Sequence, residues 1–154
     1  MRVGYVCANK EIVQKIVVCK QVSDVHTNIW SQIICHEFIT KYNMSAHINK
    51  LKDIYRHKCN LMLSGIKEHF SDKVTYTTPQ GGLFIWCTIP EKYDVGEFCT
   101  IAVQNKIATV PGNAFLPSEN MTTHSFRINY STPTDEQIVN GIKMLGDLTK
   151  NMFK

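Results

Sequence analysis

One apolar stripe limits the folds open to this 154-residue chain more than any other feature. Ile48, Leu51, Tyr55, Cys59, Met62, Ile66 and Phe70 recur at steps of three and four. That spacing predicts a single α-helix of about six turns with one apolar side, beginning after Tyr42-Asn43. Lys50, Lys52, Lys58 and Lys67 fall mostly off the stripe and are expected to face water. The helix, residues 44–71, joins a fragment of one layer system (residues 1–43) to a compact unit (residues 72–154).

Shorter signals flank it. Val3-Gly4-Tyr5-Val6-Cys7-Ala8 is an apolar run without strict alternation, as in a strand buried on both faces of a parallel sheet. Asn9 can cap a helix from Glu11 to about Gln21, and a second helix is expected over Ile29 to Lys41, with Ile29, Ile33, Ile34 and Phe38 on one side. After Val74 the period becomes two. Leu83, Ile85, Cys87 and Ile89 alternate with Phe84, Trp86 and Thr88, and because both sets are largely apolar, cover on both faces is expected. Asp94 with Glu97, and Thr134 with Gln137, have capping-box spacing ahead of two helices. Ile107 to Val110 and Ser125 to Tyr130 read as strands, and the last helix should bury Ile138, Ile142, Leu145 and Leu148. Strands and helices in this order make an α/β arrangement whose small domain is α+β: a small sheet covered by helices.

Composition removes several classes. The chain is 44% apolar and 19% charged, too apolar for disorder. Its net charge of +4 comes mostly from scattered lysines, which argues against a nucleic-acid surface. No apolar run is long enough for a membrane span. None of the six cysteines forms a C-x-x-C pair, and all six fall on apolar stripes of expected helices and strands. A reducing, cytoplasmic setting follows, with no metal site. The six histidines show no triad or ligand spacing.

Few residues can carry chemistry. The arginines are Arg2, Arg56 and Arg127. A guanidinium presents a planar fork of donors that matches a carboxylate or phosphate bidentately. Arg127 lies within an apolar strand, where alternation sets it with Asn129 opposite Phe126, Ile128 and Tyr130. It therefore needs an anionic partner or open water, and a solvated edge arginine or a structural ion pair would serve as well. Pro79-Gln80-Gly81-Gly82 is a turn before a strand, where glycine permits positive φ or close approach by another group. Pro111-Gly112-Asn113-Ala114-Phe115 has the same character.

Taken together, these segments resemble the fold-type I pyridoxal-phosphate-dependent aminotransferases. That family carries S-x-S-K, then P-G, then L-R-x-G-Y, and Met1-Arg2-Val3-Gly4-Tyr5-Val6 is similar to its end. His26-Thr27-Asn28 with Ser31-Gln32, Pro79 to Trp86, Val110 to Phe115 and Phe126 to Ser131 follow in the family's order. The resemblance covers essentially the whole chain and is nearest to the aromatic, aminoadipate and kynurenine subgroup. It implies the C-terminal portion of such an enzyme: residues 1–43 from the large domain, 44–71 as the interdomain helix, 72–154 as the small domain. It implies pyridoxal 5'-phosphate as cofactor, an amino acid and a 2-oxo acid as substrates, and a homodimer. Arg2 would bind the cofactor phosphate. Arg127 would hold the substrate α-carboxylate, Gly81 and Gly82 would line the substrate mouth, and Asn28, with Thr27, would lie near the entrance. The Schiff-base lysine is expected roughly eight residues before Arg2, outside this chain, with Lys10, Lys15 and Lys20 in the wrong context to replace it. The chain alone is therefore expected to be inactive. Its first strand, without sheet neighbours, is expected to be disordered, refolded against the small domain or paired with another chain. An aminotransferase-like effector domain of a transcription regulator, a lyase of the same fold and a stand-alone α/β binding module are the alternatives.

Overall fold

The structure, a computed structural model, describes residues 1–118 and 120–154. It divides into two units, Met1–Lys50 and Leu51–Lys154.

The first unit holds helices α1 (Lys10–Ser23) and α2 (Ile29–Lys41) and the first turns of α3 (Met44–His69). Three asparagines start them. The Asn9 side chain accepts from the Ile12 N–H at 3.3 Å, Asn28 from Ser31 at 3.1 Å and Asn43 from Ala46 at 3.0 Å. Each satisfies one of the donors a helix leaves unpaired at its N-terminus. Neither α1 nor α2 buries a residue. Ile29, Ile33 and Ile34 of the expected apolar side are exposed, and Phe38 packs locally on Tyr42 and His47. The strand expected over Val3 to Ala8 does not form, and Val3, Tyr5 and Val6 are exposed. A strand exists by pairing its N–H and C=O groups with a neighbour, and this unit contains no other. Cys7 and Cys19 are exposed and Cys35 half-buried, against the expectation that every cysteine sits on a covered stripe.

The second unit has its own core. Along α3 burial deepens from Leu51 and Tyr55, half-covered, to Cys59, Met62, Ile66 and Phe70. Lys58 turns inward instead of facing water, and its ammonium donates to the carbonyls of Ser131 and Pro133 at 3.2 and 2.6 Å. Strands β1 (Thr75–Tyr76), β2 (Phe84–Thr88), β3 (Val110–Pro111) and β4 (Ser125–Asn129) form one antiparallel sheet in the order β1-β2-β4-β3. Helices α4 (Val95–Gln104) and α5 (Asp135–Met152) complete the unit. Asp94 caps α4 through the Glu97 N–H at 2.7 Å, and Thr134 with Gln137 closes the capping box on α5.

One sheet face, Ile85, Cys87, Phe126 and Ile128, is buried with Phe98, Ile138, Ile142, Leu145 and Phe153. Removing each such side chain from water is worth about 1.5–3 kcal/mol. Burial pushes the Cys87 thiol up to about 12. At Gly146, α5 lies against the end of α3 so closely that a Cβ would stand 2.5 Å from the His69 carbonyl oxygen. Nearby, the buried Thr149 hydroxyl donates to the Gly146 carbonyl at 2.7 Å and accepts from the Ser71 N–H at 2.9 Å.

The other face of β2 is not covered as the alternation suggested. Phe84 is 37% exposed, and Trp86 and Thr88 are half-exposed. β3 is also shorter than expected. Lys106 turns to φ 63° and the N–H groups of Lys106 and Ile107 return to the carbonyls of Val103 and Ala102. This closes the end of α4 in the Schellman pattern and keeps the chain after it from pairing until Val110. No helix among the described residues is long and apolar enough to cross a membrane.

Candidate functional site

The open sheet face carries the candidate site. Arg127 stands at the middle of β4, opposite Trp86 on β2 and Val110 on β3. Strand alternation gives it the same face as Phe84, Trp86, Thr88, Ser125 and Asn129. Its guanidinium carbon lies 3.9 Å from the centre of the Phe84 ring and 4.7 Å from that of Phe115. Such contacts hold the fork through the ring quadrupoles without consuming its donors. Among the described residues no carboxylate pairs with Arg127. A half-buried guanidinium with no internal acid and two aromatic neighbours is suited to an external anion.

Backbone geometry delivers Phe115. Pro111 pairs with Phe126 on β4, and a short 3-10 turn then spans Gly112–Phe115. A Cβ at Gly112 would stand 2.6 Å from the Ser125 carbonyl oxygen, so only glycine lets the turn lie this close to β4. Trp86 supports the Phe115 ring edge-on, at 5.5 Å and 67°. Sequence reading missed both flanking rings. By alternation Phe84 reads as a covered strand residue, and no periodicity connects position 115 to position 127.

The glycine pair sits at the start of β2. Gly82 has φ 90°, a left-handed value that side chains rarely adopt. Its carbonyl accepts from the Tyr130 hydroxyl at 2.8 Å, and the Tyr130 N–H donates to Leu83 at 3.2 Å. Burial, with the neighbouring Cys59, raises the Tyr130 phenol above its ordinary value, so it stays protonated and keeps donating. Gly81 and Gly82, with Lys52, Tyr55, Arg56, Cys59, Asn60 and Tyr130, border a recess of about 600 Å³. Arg56 is paired there with Asp53 at 2.7 Å. Asn129 is occupied locally: its side-chain carbonyl accepts from both the N–H and the hydroxyl of Ser131.

In the first unit, Arg2 is exposed at φ 55° within an irregular segment and has no acidic partner among the described residues. Asn28 serves as the cap of α2, and Thr27 accepts from Lys20 at 3.3 Å. No group of three His, Cys, Asp or Glu side chains among the described residues could hold a metal.

Known proteins give this geometry a context. A family model described as aminotransferase class I and II matches residues 1–145. An aromatic-amino-acid aminotransferase of Thermococcus litoralis is 32% identical over 153 residues, covering 99% of this chain and 36% of that protein. A 2-aminoadipate transaminase of Thermus thermophilus is 30% identical, with 99% and 38% covered. The crystal structure of an α-aminoadipate aminotransferase from Thermus thermophilus, complexed with N-(5'-phosphopyridoxyl)-L-leucine, superposes with a TM-score of 0.85 at 30% identity, over 95% of this chain and 37% of that one. The chain thus spans just over a third of the length of the relatives it matches.

Proposed function

The chain belongs to the aminotransferase class I and II family, and from that membership we propose that the whole protein transfers an amino group between an amino acid and a 2-oxo acid, with Arg127 gripping the carboxylate the two share. The observation carrying this reading is the guanidinium over two aromatic rings with no acid of its own among the described residues. Two parallel N–H···O bonds to a carboxylate fix both its position and its plane. That restricts how the α-carbon is presented to the rest of the site, and orientation of this kind accounts for a large part of enzymatic rate. Gly81 and Gly82, at the start of the strand paired with that of Arg127, leave the mouth of the site free of side chains in this reading.

Pyridoxal 5'-phosphate is the cofactor in this reading, and when bound it supplies the electron sink for charge developing at the α-carbon. The Arg2 guanidinium matches phosphate oxygens in charge and shape, and its exposure without an acidic partner leaves it open to them. Lys10, Lys15 and Lys20 lie after Arg2 in the wrong context for the Schiff-base lysine, and no residue of this chain is assigned that role. A homodimer is proposed by analogy with the family. A cytoplasmic location is supported by six cysteines that are all free thiols.

Arg127→Gln in the whole protein tests the central assignment. Each bond between a charged pair is worth about 1.5–3 kcal/mol, so losing two should lower kcat/KM by about 10²–10⁴-fold for every amino acid. Cofactor absorbance should be unchanged. A variant with wild-type kcat/KM would remove the assignment.

A further inference from the structure

We propose that Phe84 and Phe115 make Arg127 selective for a flat carboxylate over a tetrahedral oxyanion, a reading that rests on Arg127 being the carboxylate grip. The guanidinium carbon lies over both ring faces, at 3.9 and 4.7 Å. A ring face at those distances closes that direction to any oxygen, because it offers no hydrogen and repels negative charge through its quadrupole. On this proposal the fork lies flat against the rings, and what stays open is its edge, in its own plane. A carboxylate meets that edge with both oxygens and the carbon coplanar with the fork. A sulfonate or phosphonate doing the same must direct at least one oxygen out of the plane, toward a ring.

The arrangement is held from outside the pair. Phe84 is fixed by the β2–β4 register, opposite Asn129. Phe115 is fixed by the Gly112 turn and by the edge contact from Trp86. Phe84 and Phe115 are 37% and 48% exposed, so neither is needed for the core and leucine can replace either without a cavity. They act through Arg127 and are positioning residues.

The experiment uses the full 154-residue chain and two monoanions of similar size, acetate and methanesulfonate. The chain has three arginines, so the Arg127 Nε–Hε cross-peak is readily assigned in an 15N-labelled sample by its loss in Arg127→Lys. In the wild type, acetate should shift that peak with a Kd about fivefold or more below that of methanesulfonate. Phe84→Leu and Phe115→Leu should each move the ratio toward one while acetate still binds. They should also shift the peak downfield before any anion is added, as ring-current shielding is lost. A wild-type ratio near one, or a ratio unmoved in both leucine variants with acetate still bound, overturns the role of the rings and leaves the carboxylate grip standing. An Arg127 peak that answers neither anion counts against both.

Discussion

Gly146→Ala and Gly141→Ala are the same substitution on the same helix, and the structure gives them opposite signs. Glycine is about 0.8–1 kcal/mol worse than alanine inside a helix, so each change begins with a gain of that size. At Gly141 a Cβ meets nothing within 4 Å, and the gain should appear whole. At Gly146 the Cβ would stand 2.5 Å from the His69 carbonyl oxygen, 2.6 Å from its Cβ and 2.7 Å from its carbonyl carbon. Two of these are backbone atoms at the end of α3, so no rotamer change relieves the clash. The helices must separate by roughly 1 Å, in an interior packed as densely as an organic crystal. Overpacking of that kind costs about 1–3 kcal/mol or more. Separation would also stretch the hydrogen bonds through Thr149 between Gly146 and Ser71. The net expectation is a loss of about 1–2 kcal/mol for Gly146→Ala and a gain of just under 1 kcal/mol for Gly141→Ala. Urea unfolding followed by circular dichroism reads both. With a slope of about 1–3 kcal/mol per molar, the midpoints should move apart by about 1 M. A Gly146→Ala protein as stable as the wild type, with an unchanged slope, would refute the close approach of α3 and α5.

Two buried groups of the second unit give further outcomes. Cys87 has its thiol raised from 9.0 to about 12 by burial, so the folded state holds its proton where the unfolded chain releases it. Stability should be full below about pH 9 and fall as pH rises toward 12, by up to about 1.4 kcal/mol per unit from this group. Cys87→Ala should flatten that slope in urea midpoints taken between about pH 8 and 10.5, and an equal slope would contradict the burial. Thr149→Val keeps the shape but strands the Ser71 N–H, so unfolding free energy should drop by about 1–3 kcal/mol, and no change would mean that N–H finds another acceptor.

Much of the architecture was legible because local and global signals agreed. α2 occupies the span expected for it, Ile29 to Lys41, with the Asn28 side chain capping its first turn. The Thr134–Gln137 box and the alternation through Phe126 and Ile128 were equally readable. The failures share a cause: the deciding partner lies elsewhere in the chain. Val3 to Ala8 has strand character but no strand beside it in its unit. Ile107 to Thr109 has strand character too, but the end of α4 claims the Lys106 and Ile107 N–H groups first. Arg127 stood out because a charge inside an apolar strand needs a reason. Its aromatic neighbours did not, because phenylalanine in a strand suggests burial and a turn-borne phenylalanine suggests nothing. The regulator and lyase alternatives share these same motifs, so motif order could not separate them from an aminotransferase.

The fit of Phe115 beside Arg127 depends on one absent side chain, at position 112. The proposed carboxylate grip draws on residues 84 to 127, all within the unit Leu51–Lys154, which has a hydrophobic interior of its own. The strand, the turn and the two rings are thus held in place by one interior, and a change that loosens it should loosen the fork as well.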